Sequence, residues 1–182
     1  MANRLDYSQL YLEYPNSGKR LYCKLLPLEG LLQDDYGKRL DCTLTSLACI
    51  FGKQHYNTIE KIALKYGYNG DKRGTNPLVV RSIMQEFMNQ YGVSSRAKSA
   101  YGKGVGWTWN LVKAVINRGV PLVLNLWDDG RGYYHDHSVT VVGVDEYEKA
   151  KFLLVLDNWN KSTSLIDYKK LCIISSINWI DK

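Results

Sequence analysis

The sequence predicts an α+β fold: a helical N-terminal half packed on an antiparallel sheet from the C-terminal half. Three observations predict it. Helical spacing runs through residues 42–91, and strand patterns dominate after residue 121. His137 opens an alternating run, with Val139, Val141 and Gly143 on one face and Ser138, Thr140 and Val142 on the other. Phe152 to Leu156 is a second, wholly apolar run, and the charged segment Asp145-Glu146-Tyr147-Glu148-Lys149 between the two suits a hairpin.

The elements follow in order. Residues 1–32 hold tyrosines 7, 11, 14 and 22 among polar residues, with a turn at Pro15-Asn16-Ser17-Gly18 and a strand in Leu21–Leu28. They are expected to form an extension packed on the domain. Gln33 to Asp41 is a polar loop. A first helix starts at Cys42 or Thr43 and runs to about Phe51, since Leu44, Leu47, Ala48 and Phe51 share a face, with Asp41 as its N-cap. A second helix, Ile59–Tyr66, is capped by Asn57 or Thr58 and closed near Gly67. Pro77 sits in the first turn of a third, Leu78 to about Tyr91. Tyr101–Trp107 is a glycine-rich loop. Trp109–Asn117 is a fourth helix stopped at Gly119. Pro121–Leu126 is a strand, and Trp127–Gly132 a turn. A last strand pair is expected at Leu171–Ile174 and Ile177–Ile180. No repeat, low-complexity segment or linker interrupts the 182 residues, so one domain is expected.

Composition narrows the function classes. Hydrophobic residues make up 45%, which argues against disorder, and no window approaches the roughly 18 apolar residues of a membrane span. The N-terminus lacks the apolar core of a secretory signal. A cytoplasmic protein is expected, or one exported by a signal-free route. The charge is +6, but the 24 basic residues are scattered among 18 acidic ones without a nucleic-acid motif. Neither nucleic acid nor membrane is expected as a partner, and the chain is expected to be a monomer. Gly102-x-Gly104-x-Gly106 is not a dinucleotide fingerprint, and no cofactor is implied. Cysteines 23, 42, 49 and 172 form no Cys-x-x-Cys; free thiols are expected.

The chemistry lies in the hairpin and the first helix. Antiparallel pairing can bring the start of one strand beside the end of the next, so His137 and Asp157 can meet although 20 residues separate them. A histidine held by a carboxylate is a general base for a nucleophile. Cys42 is that nucleophile. A helix N-terminus offers it partial positive charge and free N–H groups, which favour a thiolate below the ordinary thiol pKa. The Cys42 N–H is one oxyanion donor, and Gln33 is the only glutamine just upstream to supply another. Asp41 opposes the thiolate and is expected to point away from it. Trp107, Trp109 and Tyr134 are candidate walls of a substrate site. His135 shares the strand parity of His137 and reads as a rim residue, His55 as a surface residue. Asn158 is the alternative orienting group for the histidine, and Trp159 is placed to shield the His–Asp contact from water. A zinc site on His135-x-His137 with Cys42 or Asp157 has no further ligand spacing to support it.

Read together, the pieces Gln33, Asp41-Cys42-Thr43, Gly119-Val120-Pro121-Leu122-Val123, His137–Asp145 and Leu156-Asp157-Asn158-Trp159 resemble, in order, the papain-like peptidases related to the double-glycine leader peptidases of bacteriocin processing, especially their free-standing relatives. The resemblance covers most of residues 33–160. It implies a papain-like fold, with a helical half carrying the cysteine and a sheet carrying His and Asp, and Cys-His-Asp chemistry on the peptide bond of a peptide or protein substrate. Thr43-Leu44 departs from the small residue and proline common in such families, and Gln33 stands nine residues before the cysteine rather than six to eight, with Tyr36 six before it. Leader-peptide processing coupled to export is not expected, since the 182 residues show no transporter motif. The same triad also serves a cell-wall endopeptidase, a bacterial effector that deamidates or acylates a host protein, and a catalytically inert binding module.

Overall fold

The computed structural model describes residues 4–37, 40–70, 74–127 and 136–181. All strand pairs are antiparallel, in the order β1 (Arg4–Leu5), β7 (Thr163–Asp167), β6 (Lys151–Leu156), β5 (His137–Tyr147), β4 (Leu122–Leu126), β8 (Ser176–Asp181), β3 (Arg96–Tyr101), with β2 (Arg20–Leu25) also on β5. The long strand β5 organises the sheet. Its first half pairs with β4, from Leu126↔His137 to Leu122↔Val141, and its second half with β2. Its other edge pairs with β6, with Thr140 opposite Leu156.

A register shift between Val141 and Gly143 changes which face the side chains occupy. Val139 and Val141 belong to one core layer, Val142 to another, and Val144 returns to the first. Glycine at 143 fits this irregularity. A Cβ there would stand 2.3 Å from the Lys24 carbonyl oxygen of β2.

Helices cover both faces. α5 (Trp109–Asn117) buries Val112, Val115 and Ile116 against Leu122, Leu124, Val139 and Val155. On the other face lie α2 (Cys42–Phe51), α3 (Tyr56–Lys65) and α4 (Val80–Gln90), where Leu44, Leu47, Ile59, Ile83 and Phe87 pack with Val123 and Ala97 of the sheet. Leu44 and Leu47 are fully buried, worth about 1.5–3 kcal/mol each. α1 (Tyr7–Glu13) closes a third layer, Leu10 meeting Phe152 and Leu165.

Four sequence expectations change. Residues 4–25 are woven into the sheet as β1 and β2 rather than laid on it, with α1 between them; the Asp6/Gln9 capping box was its sequence signal. β3 went unread because it is an edge strand with only Ala97 buried. The expected final strand pair is not formed: the strands lie at Thr163–Asp167 and Ser176–Asp181, not at 171–174, where Ile173 and Ile174 are exposed, and they pair with β6 and β1 and with β4 and β3 rather than with each other. β5 runs through Tyr147, so the reversal into β6 is tighter than residues 145–149 suggested.

Candidate active site

Cys42 is the first residue of α2, and its half-buried sulfur lies against Ser138, the neighbour of His137 on β5. Asp41 holds the N-cap position without capping through its side chain. Its fully buried carboxylate instead accepts the Tyr56 hydroxyl at 2.5 Å and the Thr45 hydroxyl at 3.3 Å. Burial pushes the Cys42 thiol above its ordinary 9.0, with the Asp41 charge adding to it, and contacts with Ser138 and the Thr43 main chain pull it partly back. Burial thus works against the thiolate that the helix N-terminus was expected to favour.

His137 opens β5 and is 5% exposed. Its Nε2 lies 2.7 Å from the main-chain carbonyl of Asp157. A carbonyl only accepts, so Nε2 carries the proton and the neutral ring presents Nδ1 as its basic nitrogen. Trp159 stacks on the imidazole at 4.3 Å between centroids and 26° between planes. Burial lowers the His137 pKa from its ordinary 6.5, against the Asp157 carbonyl contact and charge, which raise it.

Asp157 thus meets the histidine through its backbone. Its buried carboxylate builds the turn that follows. Oδ1 accepts the Trp159 N–H at 3.1 Å and the Asn160 N–H at 3.2 Å, and Oδ2 accepts the Ser164 hydroxyl at 3.1 Å. The Asn160 amide donates to both oxygens.

Asn158 does not orient the imidazole. Its Nδ2 donates to the Cys42 carbonyl at 3.0 Å, the Ser46 hydroxyl at 2.8 Å and the Ser138 carbonyl at 3.0 Å, joining the nucleophile helix to the histidine strand. Its φ of +64° is a conformation asparagine tolerates better than most residues. Its own carbonyl accepts the Gln33 N–H at 2.8 Å.

A buried polar layer supports this joint. The Ser138 and Thr43 hydroxyls are 2.8 Å apart, Ser138 donates to Asn125 Oδ1 at 2.9 Å, and Thr140 donates to the Ser46 carbonyl at 3.1 Å. The sequence showed Ser138 and Thr140 as the polar face of an alternating strand. Their burial under α2 follows only once the helix is docked there.

A cleft of about 530 Å³ is lined by Gln33, Cys42, His137, Pro77, Trp127 and Trp159, among others. Gln33 is buried, and its amide lies beside the Asp41 carboxyl; burial raises the pKa of that group, while contacts with Tyr56, Thr45 and the Gln33 amide pull it back. Tyr36 stacks face to face on Tyr56, at 3.6 Å between ring centroids, and does not line the cleft. Trp107 and Trp109, expected as substrate walls, are 1% and 4% exposed and belong to the core beside α5. Trp127 and Trp159, 37% and 44% exposed, provide the aromatic walls instead. Tyr134 and His135 lie outside the described residues. Among the described residues no three His, Cys, Asp or Glu side chains group as metal ligands, and no helix is long and apolar enough to cross a membrane.

The arrangement can bring a nucleophilic sulfur, an imidazole and main-chain N–H donors to one substrate carbonyl. No protein-family model matches the chain, and no curated protein matches it. Among solved structures it is similar to UfSP from C. elegans, a papain-like cysteine protease, with a TM-score of 0.50 and 13% identity. The match covers 93% of this chain and 35% of that one, so the chain spans about a third of that neighbour's length. At this identity the likeness is one of fold: helices packed with an antiparallel sheet, shared with a papain-like neighbour.

Proposed function

We propose that this chain is a thiol hydrolase that cleaves a peptide or related amide bond through Cys42 and His137, in a single papain-like domain. The observation that carries the reading is the Cys42 sulfur packed on Ser138, next to His137, at the wall of one cleft. The fold likeness to a cysteine protease supports it. The narrower kinship with the double-glycine leader peptidases rests on the ordered sequence motifs.

In this reading His137 Nδ1 takes the thiol proton as sulfur attacks the carbonyl carbon. The tetrahedral oxyanion is held at the start of α2, and the proton passes to the departing amine. A water then splits the thioester, releasing the acid and restoring the thiol. Asp157 keeps the imidazole in the tautomer this sequence needs.

The experiment that tests it is mass spectrometry of a protein mixture treated with the chain or with Cys42→Ala. New peptide termini that vanish with the variant are the expected outcome. Deamidation or amide exchange dependent on Cys42 would move the reading to transfer chemistry, and identical spectra for the two proteins would leave an inert module.

Gln33→Ala isolates the second oxyanion donor. An amide has two N–H bonds, so one can face Asp41 while the other faces substrate. Turnover should fall by roughly 10²–10³ with little change in KM, as for a donor used in the transition state. An unchanged kcat would assign that role to main-chain N–H groups alone.

A further inference from the structure

The lysines that look scattered along the sequence are gathered by the fold into one concave site. Lys103 of the glycine-rich loop, Lys149 of the β5–β6 turn, Lys151 at the start of β6, and Lys169 and Lys170 after β7 line a cleft of about 940 Å³ together with Tyr14. This cleft lies at the far end of β5 from His137. Eleven residues of strand separate the two sites by roughly 30 Å.

We propose that this cleft binds a compact polyphosphate anion through the ammonium groups of Lys149, Lys169 and Lys170, with Lys103 bracing the segment that presents the last two.

The walls are built before any ligand arrives. Lys103 Nζ donates to the carbonyls of Tyr168 at 3.0 Å, Lys169 at 3.3 Å and Leu171 at 2.5 Å, which pins the segment presenting Lys169 and Lys170. The facing turn is held by the Glu148 N–H on the Lys19 carbonyl and the Lys149 N–H on the Ser17 carbonyl, both 3.0 Å. Lys170 lies over the Tyr14 ring at 4.9 Å.

The positive charge is only partly cancelled locally. Among the described residues, Lys103, Lys149, Lys169 and Lys170 make no ion pair, whereas Lys151 pairs with Glu146 at 3.3 Å. Glu148 and Asp167 also line the cleft, so five lysines face two carboxylates; Glu148 accepts the Lys19 N–H, Asp167 accepts the Tyr14 hydroxyl and the Lys169 N–H, and these bonds from neutral groups leave both charges in place. Burial lowers the Lys103 pKa, and the Asp167 charge works against that.

The chemistry favours phosphate. All the cationic groups are ammonium point charges on flexible stems, which suit the rounded charge of phosphate; the guanidinium forks that clamp planar carboxylates are missing from the lining. The concavity favours a compact ligand over a long polymer.

Titration calorimetry of the full chain with inorganic tripolyphosphate, at ~0.15 M salt, tests the proposal. Saturable one-to-one binding is expected. Lys149→Glu with Lys170→Glu should weaken it roughly ten-fold or more. Neutral Lys169→Gln with Lys170→Gln should weaken it in the same direction. The control is Arg81→Glu with Arg96→Glu, an equal charge change in a separate cleft, which should leave binding within about two-fold. Equal weakening by the control would reduce the effect to net charge and overturn the proposal. So would absent saturation, or tighter binding of a single-stranded oligonucleotide or a glutamate-rich peptide at the same salt.

Discussion

His137→Ala should lower turnover by roughly 10⁴-fold or more on any substrate that the Cys42→Ala comparison identifies. The pH dependence of the unmutated protein should show why. Burial acts on both members of the pair, raising the thiol from its ordinary 9.0 and lowering the imidazole from its ordinary 6.5. Both shifts favour the uncharged pair, SH beside neutral imidazole. Activity should therefore fall on the acid side only below pH 6.5, when His137 becomes protonated and can no longer accept the thiol proton. On the basic side it should fall only above pH 9.0, when the thiol proton needed for the leaving amine is lost. A thiolate–imidazolium pair would carry the same number of protons, so the profile alone does not separate the two. Thiolate absorbance near the ultraviolet edge does. The difference between the protein and Cys42→Ala should show no thiolate across the plateau and a rise only above pH 9.0. A thiolate signal appearing on the acid limb would instead put the charged pair in the resting state, with burial overcome by the N-terminus of α2.

Most of the framework was legible because the core-facing elements carry strong periods. The helix from Cys42 to Phe51 and that from Trp109 to Asn117 stand where their apolar spacing put them, and the pairing of β5 with β6 follows from two apolar runs around a charged turn. Arg96–Tyr101 stayed silent since an edge strand has little apolar surface to bury. Tyr7–Glu13 was masked by tyrosines that read as loop, although its capping box was present. In the candidate site, Gln33, Cys42 and His137 share one cleft, whereas Trp107 and Trp109 do not line it. A tryptophan beside glycines signals a wall or a core equally well, and burial decides between them only in three dimensions. Two features had no sequence signature at all. A main-chain carbonyl as the partner of His137 has no residue type, and the bonds from Asn158 to Cys42, Ser46 and Ser138 span more than a hundred residues on the helix side.

Those two features separate the neighbours Asp157 and Asn158 by experiment. Asn158→Ala removes the one side chain that bonds the Cys42 carbonyl, the Ser46 hydroxyl and the Ser138 carbonyl together. The acceptors are in or beside buried segments, and alanine is also less at ease at a φ of +64°. The loss should be about 2–4 kcal/mol, a fall in Tm of roughly 5–15 °C. Turnover should drop as well, with KM less affected, because α2 and β5 would no longer hold sulfur and imidazole in register. Asp157→Asn is the counterpart. If the carboxylate held the histidine, its loss would cost about 10⁴ in kcat by releasing the wrong tautomer. With the main-chain carbonyl in that role, asparagine keeps the partner of Nε2 and one acceptor oxygen for the turn. Its kcat should then stay within roughly ten-fold of the unmutated protein, with a modest loss of Tm from the weakened contacts to Trp159, Asn160 and Ser164. A 10⁴-fold fall for Asp157→Asn at unchanged Tm would return the carboxylate to the histidine. A wild-type Tm for Asn158→Ala would show that the helix and strand hold together without the asparagine, through packing and the Thr43–Ser138 and Thr140–Ser46 bonds.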